Sequence, residues 1–400
     1  MTVELHLHRT ALRARNAVAA VFAINGFAMA TWMSRVPEVR DALGVSPGRL
    51  GVLLLGISAG AMIALPLAGG IVHRFGAARV VTGAAVVNAA GVAFGGIAAG
   101  VLGDFWWTAT GLLALGLGSG VWDVAMNVEG AAVERALGRT IMPRFHAAFS
   151  FGTVAGAGVG AAAAAGGVAT SVHLVGGGIA VAVLAACSAP AFMPAHDDES
   201  PRRAGAWLAW TEPRTLVIGI MVLALALTEG TANDWLAVSL VDGHHVPPWV
   251  GAAGFAVFLI AMTAGRLAGT SLLDRYGRLP VLWTTMATAA FGVVLLVFGT
   301  WLPLVLLGVL LWGLGASLGF PVGMSAAADD PDRAPARVSV VSTIGYGAFL
   351  AGPPLLGHLG DQVGPLHALL VVAVVLVPSA AVVPAARPPV APSGSHDRSR

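Results

Sequence analysis

The sequence predicts an all-α membrane protein, twelve transmembrane helices in two pseudo-symmetric six-helix bundles, and three observations carry that expectation. Of the 400 residues, 57% are hydrophobic and 10% charged, against roughly 25% charged in soluble domains. Too little polar surface remains to cover a water-soluble chain of this length. Apolar runs of the ~20 residues that a crossing needs recur from end to end. The chain also echoes itself: GGIVHRFGAARVV from Gly69 returns as GTSLLDRYGRLPVL from Gly269, and GLGSGVWD from Gly116 returns as GLGASLGF from Gly313. Repeated halves of six spans are the pattern of secondary transporters.

Taken in order, the expected spans are 16–34, 48–72, 79–101, 106–128, 143–166, 171–193, 214–240, 248–272, 279–300, 302–324, 338–359 and 364–384. The basic N-terminal segment runs into a full-length span without a small-residue cleavage site, so the first helix is read as retained. The longest polar stretch between spans, PAHDDESPRRAGAWLAWTEP, divides the chain. The expected organisation is a six-helix bundle over 1–193, a cytoplasmic linker over 194–213, a second bundle over 214–387 and a disordered tail over 388–400. All 22 basic residues are Arg. With the N-terminus inside, eighteen fall on cytoplasmic segments and three, Arg35, Arg40 and Arg49, outside. That bias predicts a multi-pass protein of a bacterial cytoplasmic (inner) membrane with both termini cytoplasmic. The arginines are spread over short loops, which argues against a nucleic-acid partner. The lone Cys187 excludes an intramolecular disulfide and a Cys-based metal site.

Candidate chemistry begins with Asp123, an acid inside the apolar run Leu112 to Val128, with Asn127 four residues on and on the same helical face. An ionisable group at membrane depth costs at least ~2.5 kcal/mol and reads as functional. Asp123 is the expected proton carrier. His146, at the start of the fifth span, is its nearest candidate partner, either in coupling or in a structural pair. In the seventh span Glu229 and Asn233 share a face, Asp234 points away from Glu229, and Trp235 follows; a carboxylate, an amide and a ring suit a polyhydroxylated or amphiphilic solute. Asn25 lies near the midplane of the first span, as a substrate ligand or an interhelical hydrogen bond. Arg266 is expected to snorkel to the cytoplasmic edge or to join the loop between spans eight and nine. The Gly-rich run from Gly152 reads as close helix packing. His244 and His245 sit in an external loop with Asp242 nearby, and no metal site is expected there or elsewhere.

Three stretches, NGF at Asn25, DVAMN at Asp123 with RFHAAFSFG at Arg144, and TEGTANDWL at Thr228, together with the DRxGR box Asp274, Arg275, Gly277 and Arg278, resemble the major facilitator superfamily. Within it the likeness is to the fucose-permease-like branch and to uncharacterised YbjJ-type bacterial inner-membrane proteins. The resemblance implies two bundles rocking about a midplane site lined by helices one, four, seven and ten. It also implies a gating loop in each half. The first copy keeps Gly69, Arg74, Gly76 and Arg79 but has His73 where the second has Asp274. The branch carries a second acid in helix one, where this chain has Ala30.

The expected function is secondary active transport of a small organic solute, sugar-like or otherwise polar, by proton-coupled symport. Proton antiport exporting a metabolite or drug is the alternative, and a transporter-like sensor a third. Proton coupling falls to Asp123, His146 and Glu229, and substrate binding to Asn25, Asn127, Asn233, Asp234 and Trp235. The chain is expected to be no enzyme, to use the proton gradient in place of a cofactor, and to work as a monomer in the lipid bilayer.

Overall fold

Apolar length decides where the helices run, and polar ends decide how far they overshoot. The computed structural model describes residues 2–138, 141–193, 209–330 and 333–387. Among these, twelve helices are long and apolar enough to cross a membrane, and no residue is in a strand. The spanning helices are α1 (Thr2–Met33), α2 (Pro47–Phe75), α3 (Ala77–Ile97), α4 (Phe105–Leu137), α5 (Met142–Ala165) and α6 (Thr170–Ser188). The second half holds α7 (Pro213–His244), α8 (Pro248–Tyr276), α9 (Arg278–Phe298), α10 (Leu302–Ala316, resuming as Gly319–Ala327), α11 (Ala334–Val363) and α12 (Pro365–Ala368 with Leu370–Val382). A short helix, Val36–Leu43, follows α1. Number and order match the expected spans. Residues 194–208 of the expected linker, and the tail 388–400, lie outside the described residues.

Several helices outrun the bilayer. The 33 residues of α4 make about 50 Å at 1.5 Å per residue, against a hydrocarbon core of about 30 Å. Its extra turns carry Glu129, Glu134 and Arg135, and it stops at Gly138 in the left-handed region, φ 62°. Glu134 then accepts hydrogen bonds from the backbone N–H groups of Ile141 (2.7 Å) and Met142 (2.8 Å), fixing the entry into α5.

The packing pattern repeats with a shift of six helices. In the first half α1 packs on α5, α2 and α3 on α4, and α3 on α6. In the second α7 packs on α11, α8 and α9 on α10, and α9 on α12. The halves meet through the matching pairs α2 with α11 and α5 with α8. Small residues set the closest approaches. Along α5, Gly152, Gly156 and Gly160 sit one turn apart; a Cβ on the first two would collide with α1 at Ala23 and Phe27, and one on the third with Ser34 just past the end of α1. The run expected to serve packing does so.

Twelve crossings put both described chain ends on one side, here the terminus side; the other is the far side. On the far side the halves are joined. Arg40 pairs with Asp242, the Gly48 N–H donates to Asp361 Oδ1 (2.9 Å) and Ser58 Oγ donates to the Phe349 carbonyl (2.6 Å). Gly51 and Gly357 let the α2 and α11 backbones touch at Pro353 and Pro47. On the terminus side no hydrogen bond or ion pair among the described residues joins α2 to α11: Gly69 and Gly70 have open space beside them, and His73, Arg74 and Arg79 are exposed. The gap between the halves is closed on the far side and open on the terminus side.

The terminus side of the second half is bound by charge. Asp329, 7% exposed, accepts from Arg278 (2.6 Å) and Arg214 (2.7 Å). Glu212, just before α7, accepts from Arg337 Nε (2.6 Å), Arg333 Nη1 (2.8 Å) and Thr215 Oγ1 (2.9 Å). The Arg337 bond, opposed by burial and joined by Thr215 and Arg333, holds the Glu212 carboxyl below its ordinary value. A lowered carboxyl pKa stabilises the fold above the ordinary glutamate value of about 4.3, and that contribution is lost as pH falls through the lower value. Acid titration of thermal unfolding should therefore show a decline below about pH 4 that is smaller in Glu212→Gln. An identical acid limb in the variant would assign the decline to other groups.

Candidate functional site

The candidate residues lie on the helices that border the central gap, and the helical period explains which of them face it. Two surface pockets, one between α2, α3 and α4 and one between α1 and α5, contain none of the candidate coupling or substrate residues. On α4, Asp123 and Asn127 stand one turn apart, both half-buried. The Asn127 amide donates to the Asp123 backbone carbonyl (2.8 Å) and to its carboxylate (3.3 Å). Among the described residues no cation lies within ion-pair distance of Asp123. His146, the expected partner, instead sits exposed at the α5 entrance with its ring edge-on to Phe22, centroids 5.2 Å apart. An edge-on contact with a buried aromatic ring gives the imidazole an anchor that needs no carboxylate.

Across the gap, α7 presents Glu229, Asn233 and Asp234, all half-buried. Glu229 is paired: Arg266 Nη2 of α8 lies 3.1 Å from each of its carboxylate oxygens, and Arg266 Nε donates to the Ser317 carbonyl at 3.3 Å. This corrects the expectation that Arg266 snorkels or joins the loop; an acid on the facing helix holds it within the protein. The two side chains are 20% and 27% exposed, so the pair touches water and its coupling should be modest. Thermal unfolding of Glu229→Gln, Arg266→Gln and the double variant should give an interaction energy of about 1 kcal/mol. Additive losses would show that the pair is incidental. Asp234 has no hydrogen bond or ion pair among the described residues. Trp235 is 1% exposed and packs in the core, so in this state it offers no face to a solute; one residue past Asp234 is about 100° round the helix. Asn25 on α1 is half-buried, and its Nδ2 has no partner among the described residues, an unmet donor in a low-dielectric setting.

The two loops expected to gate fold alike. Gly76 and Gly277, each between consecutive helices, take the same positive φ, 78° and 77°, a region open to glycine without strain. Arg74 lies over the Phe75 ring and Arg275 over the Tyr276 ring. The second loop is tied down by Arg278, through Asp329 and Ser325 (3.0 Å), whereas Asp274 and Arg275 are exposed. In the first loop Gly69, His73, Arg74 and Arg79 are exposed as well.

Several residues escaped sequence reading. Asp329 and Glu212 sit in loops beside prolines, where no period exists to say what they face. Arg40, Asp242 and Asp361 read as ordinary loop charges. Tyr346 of α11 lies within the electrostatic reach of Asp123, though 223 positions later in the chain; nothing local signals that proximity.

Twelve spans, two halves of like packing and a polar gap open on one side define a membrane transporter. The comparisons agree. The Major Facilitator Superfamily model matches residues 219–400. An uncharacterized transporter of Sinorhizobium fredii is 33% identical over 86% of this chain and 90% of its own length. An uncharacterized MFS-type transporter of Yersinia pestis is 30% identical over 85% of this chain and 87% of its own. Among solved structures, a mutant form of the nucleoside transporter NupG aligns with a TM-score of 0.77 at 14% identity, covering 93% of this chain and 99% of that one. A variant of the E. coli fucose:proton symporter FucP aligns at 0.63 and 14% identity, over 93% and 98%. At such identity these two show the fold alone. The chain belongs to the Major Facilitator Superfamily.

Proposed function

We propose that the chain is a proton-coupled symporter moving a small polar organic solute, sugar-like in its hydrogen-bonding needs, across a bacterial cytoplasmic membrane by alternating access. The observation that carries the reading is Asp123, whose half-buried carboxylate accepts its hydrogen bond from the Asn127 amide (3.3 Å) and, among the described residues, has no cation within ion-pair distance. A carboxylate so placed is charged when water reaches it and favours its neutral form when the gap closes around it. Protonation removes the charge that closure would otherwise bury, so proton loading and closure favour each other. The uneven arginine distribution supports a cytoplasmic terminus side, and the gap is then open to the cytoplasm. Asn25, Asn127 and Asn233 supply the donors and acceptors that a hydroxylated solute requires. Asp234 and Tyr346 add a carboxylate and a phenol on the opposite half. Trp235 joins the site only if the other state exposes it.

The test is solute-evoked current in proteoliposomes, with sugars, polyols, organic acids and cationic drugs screened under an imposed proton gradient. An inward current with one solute class, lost when the gradient is collapsed by an ionophore, supports symport. A current of opposite sign assigns antiport, and binding without flux for any class assigns a sensor.

A further inference from the structure

The two halves meet the charge of their terminus-side arginines differently. In the second half Arg214, Arg278, Arg333 and Arg337 each reach Asp329 or Glu212. In the first half the acids at the same end of α4 are taken up by backbone. Glu129 Oε1 accepts from the Met193 N–H (2.6 Å), as Glu134 does from Ile141 and Met142. Arg74 and Arg79 are exposed and have no hydrogen bond or ion pair among the described residues. Two guanidinium groups therefore stand at the corner between α2 and α3 without an acid.

Beside them runs a groove. α2 and α3 each pack along α4 but touch one another little, which leaves a cleft of about 430 Å³ between them. Its walls include Phe75 of α2, Gly83 and Val87 of α3, and Leu117 and Val121 of α4, with Arg79 at its terminus-side end. Arg79 to Val87 is eight residues, about 12 Å along the helix. Midway, Gly83 has open space beside it, and Val87 and Phe75 are exposed. Arg74 lies over the Phe75 ring, 5.4 Å from its centroid, so a second cation is held at the same end. A cleft that is apolar along its length and cationic at the membrane surface matches an acyl chain below an anionic head group. Guanidinium donors suit phosphate oxygens.

We infer that the groove between α2, α3 and α4 binds one anionic phospholipid of the terminus-side leaflet. Its phosphate lies between Arg74 and Arg79, and one acyl chain runs along Gly83 and Val87. The lipid supplies to the first half the counter-charge that Asp329 and Glu212 supply to the second. A zwitterionic lipid carries its own ammonium and gains less from the two arginines. The inference needs a bilayer and no particular solute or coupling ion.

The test is native mass spectrometry of the detergent-purified protein, titrated with phosphatidylglycerol or with phosphatidylcholine of the same chains. Wild type should bind the first phosphatidylglycerol about tenfold more tightly than the first phosphatidylcholine. Arg79→Gln should weaken phosphatidylglycerol about fivefold, the effect of one arginine at a charged membrane surface, and leave phosphatidylcholine unchanged. Gly83→Leu, which fills the groove and keeps both cations, should weaken both lipids. Arg275→Gln, at the matching exposed position of the second loop, should bind as wild type does. Equal binding of the two lipids by wild type overturns the inference, and so does wild-type binding by Arg79→Gln or by Gly83→Leu. A loss in Arg275→Gln as large as that in Arg79→Gln overturns it too, since any surface arginine would then serve. Should Gly83→Leu not fold, Val87→Phe takes its place under the same criteria.

Discussion

Asp123→Asn is expected to abolish concentrative uptake while leaving solute exchange intact. A membrane potential of 100 mV acting on one proton per solute supplies about 2.3 kcal/mol, enough to accumulate a neutral solute about fiftyfold. Asparagine is close in shape to a protonated aspartate but carries no exchangeable proton, so the variant should cycle as if permanently loaded. Accumulation should fall to a ratio near one, and counterflow of labelled against unlabelled solute should persist. The Asn127 amide, which donates to the wild-type carboxylate, can donate to the new amide carbonyl, so the local fold has no reason to change. Accumulation equal to wild type would show that Asp123 is structural and would pass the coupling role to Glu229. Loss of both accumulation and counterflow, in a variant of unchanged unfolding temperature, would make Asp123 a substrate ligand instead.

The second large effect concerns stability. Asp329→Ala should lower it by about 3 kcal/mol, the lower end of what breaking a buried ion pair costs, because Arg214 and Arg278 are 35% and 22% exposed and can be partly rescued by water. The acid is the shared partner of an arginine at the start of α7 and another at the start of α9, with Arg214 also reaching the carbonyls of Ala385 and Arg387. Removing it leaves two cations side by side with nothing between them. Thermal unfolding in detergent should show the drop, and Asp329→Asn, which keeps an acceptor, should show a smaller one. If Asp329→Ala unfolds within a degree of wild type, the cluster is a surface ornament of the second half and does not hold α7, α9 and α10 together.

The spans and the repeat were legible because both are one-dimensional. A membrane crossing needs its apolar residues consecutive, so Leu302 to Ala316 or Ala77 to Ile97 declares itself without a partner. A repeat needs only comparison of the chain with itself, which pairs Gly76 with Gly277, and the two share a backbone conformation. Asp123, Asn127, Glu229 and Asn233 were legible for the same reason: a polar residue in an apolar run stands out, and a spacing of four puts two on one face. Helix ends were harder. Nothing in apolar length says that α1 begins well before the bilayer or that α4 continues nine residues past Val128.

What the sequence determined by itself was a membrane protein of twelve helices in repeated halves, with intramembrane acids on the helices that would border a cavity. Only the tertiary structure decided how those acids are spent. It paired Glu229 with Arg266, set His146 against Phe22 in place of Asp123, buried Trp235, and gathered Arg214, Arg278 and Asp329 from the starts of α7 and α9 and the loop after α10. It also decided which side of the gap is closed. Hydropathy is a property of consecutive residues, whereas an ion pair depends on which faces of two helices meet. That is settled by close packing at residues such as Gly51, Gly152 and Gly357, where two backbones touch and the facing side chains have no other place to go.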